Sequence, residues 1–301
     1  MINMMKKYSF FTFFLVIACV LTACEKADFG DESVAEENEN TEKQVTVSFN
    51  VADIRQIPYV ATSRSYVDIT SYVSRLNFAL FQNGERVRNT SQTVEDDGFG
   101  SVVYKLMPGT YQLLVVAHNT SLKKSSPATT DPTSIKFTNS NGSVSDTFYY
   151  YGDIEVSSQD KTHDVILQRA SSLLRFIITD ELPADLYYVS LSVTGGSSVL
   201  NAVTGYGGDD DGTQEKLYQV DGYTAPLTLP VYTFLKGNEG KLNVTVTAMD
   251  QGKNTILQLT FENISMNRAT ITEHSGAFFY HDNAFSLKAD VAWNDTIYST
   301  Y

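Results

Sequence analysis

From residue 44 onward, apolar and polar residues alternate along much of the chain with a period of two. The first run sets Val45, Val47, Phe49 and Val51 on one face and Thr46, Ser48 and Asn50 on the other. Successive side chains of a strand point to opposite faces, so the run describes a strand with one buried side. The pattern recurs at Leu76, Phe78 and Leu80; at Leu113, Val115 and Ala117; at Leu174, Phe176 and Ile178; and at Tyr187, Val189, Leu191 and Val193. It returns at Leu242, Val244, Val246 and Ala248, at Leu257, Leu259 and Phe261, and at Phe285, Leu287, Ala289, Val291 and Trp293. Asn83-Gly84, Pro108-Gly109, Gly195-Gly196, Gly207-Gly208 and Asp250-Gln251-Gly252 punctuate the runs with residues that accept positive φ or preset a turn. No segment of helical length shows an apolar stripe at 3.6 spacing, although a short helix is expected around Ile69 to Ser74. The expected class is all-β, with sandwiches that bury one face of each sheet.

The strand His163 to Leu167 is followed almost at once by Leu173 to Thr179, with only Gln168 to Ser172 between them. A tight corner between two sandwiches would produce this junction near Arg169. It divides the body into residues 44–168 and 169–301, each about the size of a small sandwich domain. A single continuous Greek-key unit is the alternative.

The opening residues follow another rule. Lys6 and Lys7 precede an apolar run from Phe10 to Val20 and then Leu21-Thr22-Ala23-Cys24. The run is shorter than the roughly 20 apolar residues that span a bilayer as a helix, and its order is that of a signal peptide. Leu21 to Cys24 resemble the bacterial lipobox, in which the cysteine thiol receives a diacylglycerol and the chain is cut just before it, here between Ala23 and Cys24. Residues 1–23 are then a lipoprotein signal and Cys24 carries the lipid. Two or three acyl chains such as palmitate hold firmly, because each buried methylene contributes roughly 0.8 kcal/mol. Residues 24–43 are rich in Glu, Asp and Asn and read as a flexible acidic tether. Glu25, Asp28, Asp31 and Glu32 look like the acidic export signal of Bacteroidetes surface lipoproteins.

Charge and cysteine content narrow the functions. The chain carries 22 basic and 35 acidic residues, a balance that disfavours nucleic acid as a partner. Cys19 leaves with the signal and Cys24 is expected to be lipidated, so no thiol pair remains for a disulfide or a thiolate metal site. His118, His163, His274 and His281 are scattered without metal-site spacing. The acidic loop Asp209-Asp210-Asp211-Gly212 has Val220 where an EF-hand needs its twelfth-position glutamate. No nucleophile elbow or phosphate-cradling loop appears. No enzyme, metal or cofactor is expected.

Several segments carry a resemblance in order along the chain. Met107 to Ala117 is similar to a "PGTY" turn leading into an apolar strand. Phe148 to Gly152 looks like an aromatic "FYG" segment. Asp164 to Ala170, followed by Leu173 to Phe176, looks like a strand, arginine, strand junction. Together with the lipobox these resemble the FimB/Mfa2 family of Bacteroidetes, fimbrial anchor and accessory subunits related to the fimbrillins. The resemblance implies two tandem transthyretin-like Greek-key β-sandwich domains. It also implies a lipid-anchored protein, surface-exposed at the cell outer membrane, that joins fimbrial subunits by strand complementation in adhesion. An added strand gains affinity from backbone hydrogen bonds and register from alternate side chains. Candidate exchanging strands are the first, with Val45, Val47, Phe49 and Val51, and the last, with Phe285, Leu287, Val291 and Trp293; ordinary pairing within the chain is the alternative for both.

Polymerising fimbrillins resemble one another in losing the first strand by cleavage after a basic residue. Arg55 and Arg64 are the candidate processing sites, and cleavage at either would make this a polymerising or tip fimbrillin rather than an uncut anchor. A different class is a surface glycan-binding lipoprotein, suggested by 18 tyrosines and 17 phenylalanines with clusters at Phe148 to Tyr151 and Phe278 to Tyr280. Solvent exposure of three or more coplanar rings would favour it, and burial would favour core packing. Asp295-Thr296-Ile297 also looks like a Bacteroidetes O-glycosylation acceptor.

Overall fold

A computed structural model describes residues 43–55, 69–119, 127–137, 144–208, 213–280 and 285–291, all within one compact unit, Glu42–Tyr301. The signal residues, Ala23, Cys24, the acidic tether up to residue 42, Arg64, His281, Trp293 and the Asp209 to Gly212 loop lie outside the described residues.

Strand is the dominant element of the described chain. In order it forms β1 (Val45–Arg55), β2 (Arg75–Gln82), β3 (Glu85–Thr93), β4 (Ser101–Leu106), β5 (Gly109–His118), β6 (Pro127–Ala128), β7 (Ile135–Phe137), β8 (Thr147–Val156) and β9 (Lys161–Arg169). There follow β10 (Ser172–Ile178), β11 (Tyr188–Thr194), β12 (Val199–Asn201), β13 (Tyr206–Gly207), β14 (Gln214–Gln219), β15 (Leu227–Thr233), β16 (Glu239–Met249), β17 (Thr255–Asn267), β18 (Ile271–Gly276) and β19 (Ser286–Val291). The helical element among the described residues is a single 3-10 turn, Ile69–Ser71. Asn83 and Gly84 have φ of 53° and 81° between β2 and β3, the doubly positive geometry whose twist suits a two-residue hairpin.

Seven strands form one sheet in the order β3-β2-β5-β8-β9-β1-β4. Its inner face buries Val47, Phe49, Leu76, Phe78, Leu80, Leu113, Val115, Phe148 and Leu167, among others. The sheet curls until its two edges meet through side chains. Gln92 Nε2 donates to Ser101 O at 2.7 Å and Gly100 N to Gln92 Oε1 at 3.1 Å, while Tyr104 OH donates to Thr90 Oγ1 at 2.9 Å. The exposed backbone of an edge strand is a template for unwanted pairing, and these contacts cover part of it.

Beyond residue 171, two four-stranded sheets, β15-β10-β18-β19 and β14-β11-β16-β17, face each other across a second core. Phe176, Val189, Leu191, Leu242, Val244, Val246 and Phe278 are fully buried there. One side is tied at β15, where Pro230 O accepts from Lys216 Nζ at 3.1 Å and from the Tyr218 hydroxyl. Burial brings the Lys216 ammonium down to about 8. Pro230 lacks an N–H and sits on an edge strand, where none is required.

A fourth sheet, β13-β12-β7-β6, takes two strands from before β8 and two from after β11. Leu200 pairs with Ile135 and Val199 with Lys136. Under it lies a third cluster of Ala79, Phe81, Leu114, Val116, Ile135, Tyr149, Leu200 and Phe234. This cluster covers the outer face of β2 and β5, so residues Leu76 to Phe81 and Leu113 to His118 are buried on both sides. Gly207 belongs to β13 rather than to a turn, and a Cβ there would meet Phe234 O at 2.7 Å.

Between β9 and β10 only Ala170 and Ser171 intervene. Here Arg169, fully buried, holds Asp146 with Nε at 2.9 Å and Nη2 at 3.0 Å, and its guanidinium lies 4.5 Å from the centroid of the Phe148 ring. Ser171 Oγ adds a third bond to Asp146 at 2.9 Å and accepts from Thr147 N at 3.1 Å. A buried pair satisfied by such bonds is costly to break from one side, by about 3–5 kcal/mol. A second clasp is Arg268, which donates to Gly205 O at 3.1 and 2.9 Å and to Tyr149 OH at 3.3 Å. Gly205 has φ +77°, and a Cβ would collide with the Tyr149 hydroxyl, so both backbone and space call for glycine.

Candidate functional site

The two terminal strands are placed very differently. β1 runs antiparallel to β4, from Val45 opposite Leu106 to Asn50 opposite Ser101, and parallel to β9, from Val47 opposite Lys161 to Arg55 opposite Gln168. It is therefore an interior strand. Val45, Val47, Phe49 and Val51 all point into the first core, as does Ile54. A register shift between Val51 and Asp53 accounts for Ile54, because one extra residue reverses which side chains face inward. Polar contacts tie β1 to β9: Thr46 N donates to Asp160 Oδ1 at 2.7 Å, just ahead of β9, and Asn50 Nδ2 to Asp164 Oδ1 at 3.4 Å. Phe49 stacks on His163 of β9 at 5.6 Å and 19°. Burial, with Lys161 adding, lowers the His163 pKa below its ordinary value. Arg55 closes the strand.

Removal of β1 would leave a slot flanked on both sides along Val47–Asn50 and, among the described strands, by β9 alone toward Arg55. Its walls would be the facing edges of β9 and β4, and its floor the side chains that Val47 and Phe49 now cover. Such a slot offers unpaired backbone groups on both sides together with an apolar register, the chemistry that accepts a donated strand.

β19 is the last strand of its sheet and, among the described strands, pairs with β18 alone. Its register sets Ser286 opposite Ser275, Leu287 opposite His274, Lys288 opposite Glu273 and Val291 opposite Ile271, with a shift between Ile271 and Glu273. Phe285, just before it, packs on Phe176, Phe261 and His274. The approach to β19 is pinned by Asp180, whose carboxylate accepts from Phe278 N at 2.8 Å, Phe279 N at 2.6 Å and Tyr280 N at 2.8 Å. Burial works to raise the Asp180 pKa, but these amides and its own backbone carry it below its ordinary value.

The two aromatic clusters are largely spent on packing. Phe148 and Phe278 are fully buried; Tyr149 is buried against Arg268; Tyr150 packs on the first core and Tyr151 on the third. Phe279 is half-buried on the second core and Tyr280 is 66% exposed, so of the seven rings in the two clusters one is exposed. Burial, with Arg75 adding, lowers His118 to about 4. No described group of three or more His, Cys, Asp or Glu side chains is placed to hold a metal ion. No described helix is long and apolar enough to cross a membrane. Asp180, Arg268 and the Asp146–Arg169 pair are visible only in the fold, because their partners lie from 23 to 119 residues away.

Residues 37–301 match the model of a family of unknown function, DUF6562. No curated protein matches the chain. Among solved structures, a candidate adhesin from Bacteroides ovatus shares the fold with a TM-score of 0.51 at 12% identity, over 77% of this chain and 88% of that one. Structural neighbours also include two proteins of Porphyromonas gingivalis. The fimbrial anchor protein Mfa2 aligns with a TM-score of 0.44 at 12% identity, over 81% of this chain and 95% of its own. The tip fimbrial protein Mfa3, truncated at its C-terminus, aligns at 0.40 and 11%, over 81% and 98%.

Proposed function

The chain belongs to the family of unknown function DUF6562, and from that premise we propose that it is a lipid-anchored fimbrial anchor or accessory subunit of the cell surface, joining other subunits by strand complementation. The observation that carries the reading is β1. It fills an interior position between β9 and β4 and lies at the end of a chain whose preceding residues read as an acidic tether to Cys24. The fold shared with the Bacteroides ovatus adhesin candidate supports a surface role, and the lipobox and FimB/Mfa2-like segments support the anchor. The two halves, 44–168 and 169–301, are the domains in this reading, and no catalytic step is assigned to either.

Mass spectrometry of the protein from washed cells tests the reading directly. A chain beginning at acylated Cys24 and retaining β1 is the expected result. A chain beginning after Arg55 or Arg64 would make it a cleaved, polymerising or tip subunit instead. Cys24→Ala is expected to move the protein from the membrane to the soluble fraction, and unchanged membrane association would refute the anchor.

A further inference from the structure

Four rings close the side of the second sandwich opposite Lys216. Phe176 on β10, Phe261 on β17, His274 on β18 and Phe285 ahead of β19 each touch the other three, at centroid separations from 4.5 to 5.6 Å. His274 lies almost flat on Phe285, at 4.9 Å and 11°. Phe176 is fully buried and the other three are half-buried, so the rim of the cluster meets water. Neither nitrogen of His274 has a hydrogen-bond partner.

That arrangement suits a neutral imidazole better than a charged one. The imidazolium carries two N–H donors and a full charge, and both need acceptors or solvent. None is supplied by the cluster. Arg175 and Glu273, which flank Phe176 and His274 in sequence, pair with each other at 3.0 Å. Glu262, next to Phe261, is exposed, and Lys288 of β19 stands opposite Glu273. Burial alone lowers the His274 pKa, with no charged neighbour contributing. Attraction between an imidazolium and the ring faces acts in the opposite direction.

We propose that His274 is a proton-operated latch on β19: protonation breaks the ring cluster and frees β19 from β18. The folded pKa lies below the unfolded value of about 6.5, so the latch is closed above that pH. Its contribution is lost as pH falls from there through the folded value, by at most about tenfold in the closing equilibrium per pH unit.

Hydrogen exchange on the full-length protein at pH 7.5 and 5.0, corrected for intrinsic rates, reads the latch. In the wild type, protection of Ser286–Val291 is expected to fall several-fold at pH 5.0 while that of β1 changes less. His274→Phe keeps four rings without a titrating group, and its β19 protection is expected to be equal at both pH values. Protection in the wild type that ignores pH, or that falls equally in His274→Phe, overturns the proposal. Should that variant fail to fold, a proton NMR titration of the His274 ring decides: an apparent pKa below 6.5 supports the latch and a value at or above it refutes it.

Discussion

β1, 11 residues long, pairs with β4 over Val45–Asn50 and with β9 over Val47–Arg55, whereas β19, 6 residues long, pairs on one side among the described strands. β1 sends five apolar side chains into a closed core. β19 follows a half-buried phenylalanine and leans on one histidine-bearing strand. Both lie toward an end of the folded body, yet the first is part of its interior and the second part of its rim. Local opening is cheapest where buried contacts are few and backbone bonds face solvent. Opening of β19 can therefore be a local equilibrium, whereas emptying the β1 position requires that the strand be cut away or never inserted.

The largest expected difference comes from removing each strand. Deleting Val45–Arg55 should abolish cooperative thermal unfolding, because the first core loses one wall. A chain ending after Tyr280 should still fold and melt cooperatively at a lower temperature. Equal melting of both truncations would erase the distinction. Single side chains should follow the same order in denaturant unfolding. Phe49→Ala is expected to cost about 3–5 kcal/mol, as for a fully buried ring, and Phe285→Ala, from a half-buried site, about 1–2 kcal/mol. Asp180→Asn should cost about 1 kcal/mol through weaker bonds to the Phe278–Tyr280 amides, with exchange accelerated in β19 and unchanged in β1. The Asp180 pKa is lowered by folding, so its contribution is present above the unfolded carboxylate value and lost as pH falls through the folded one. The wild type should lose that increment below about pH 4, and Asp180→Asn should not. The smallest effect should come from His163, whose lowered pKa makes the neutral form the better partner for Phe49. Mild acidification should weaken β1 slightly, and His163→Phe should remove that dependence.

Much of the strand content was legible as alternation because most strands bury one face. β1, β11 and β16 follow the pattern closely. β2 and β5 show why it was incomplete: Ala79, Phe81, Leu114 and Val116 interrupt the alternation because the third cluster buries the second face as well. β7 and β12 span three residues each, too few for a period to register, and their pairing is long-range. β3 is mostly polar and half-exposed, and Pro230 masks the alternation of Leu227, Leu229 and Val231. The residues of the candidate site divide in the same way. Val45, Val47, Phe49 and Val51 announce themselves in the sequence. His274 does not, because it shares its face with Thr272 and Gly276 and its ring partners come from other strands.

The two-sided pairing of β1 also sets how the molecule bears tension. A pull on residue 44 along the strand axis loads the hydrogen bonds to β4 and β9 together, in shear, rather than peeling them one at a time. β19, held along one edge and pulled outward, would unzip bond by bond. If the tether ahead of β1 is the attachment to the cell, the strand that meets drag first is the one built to slide least.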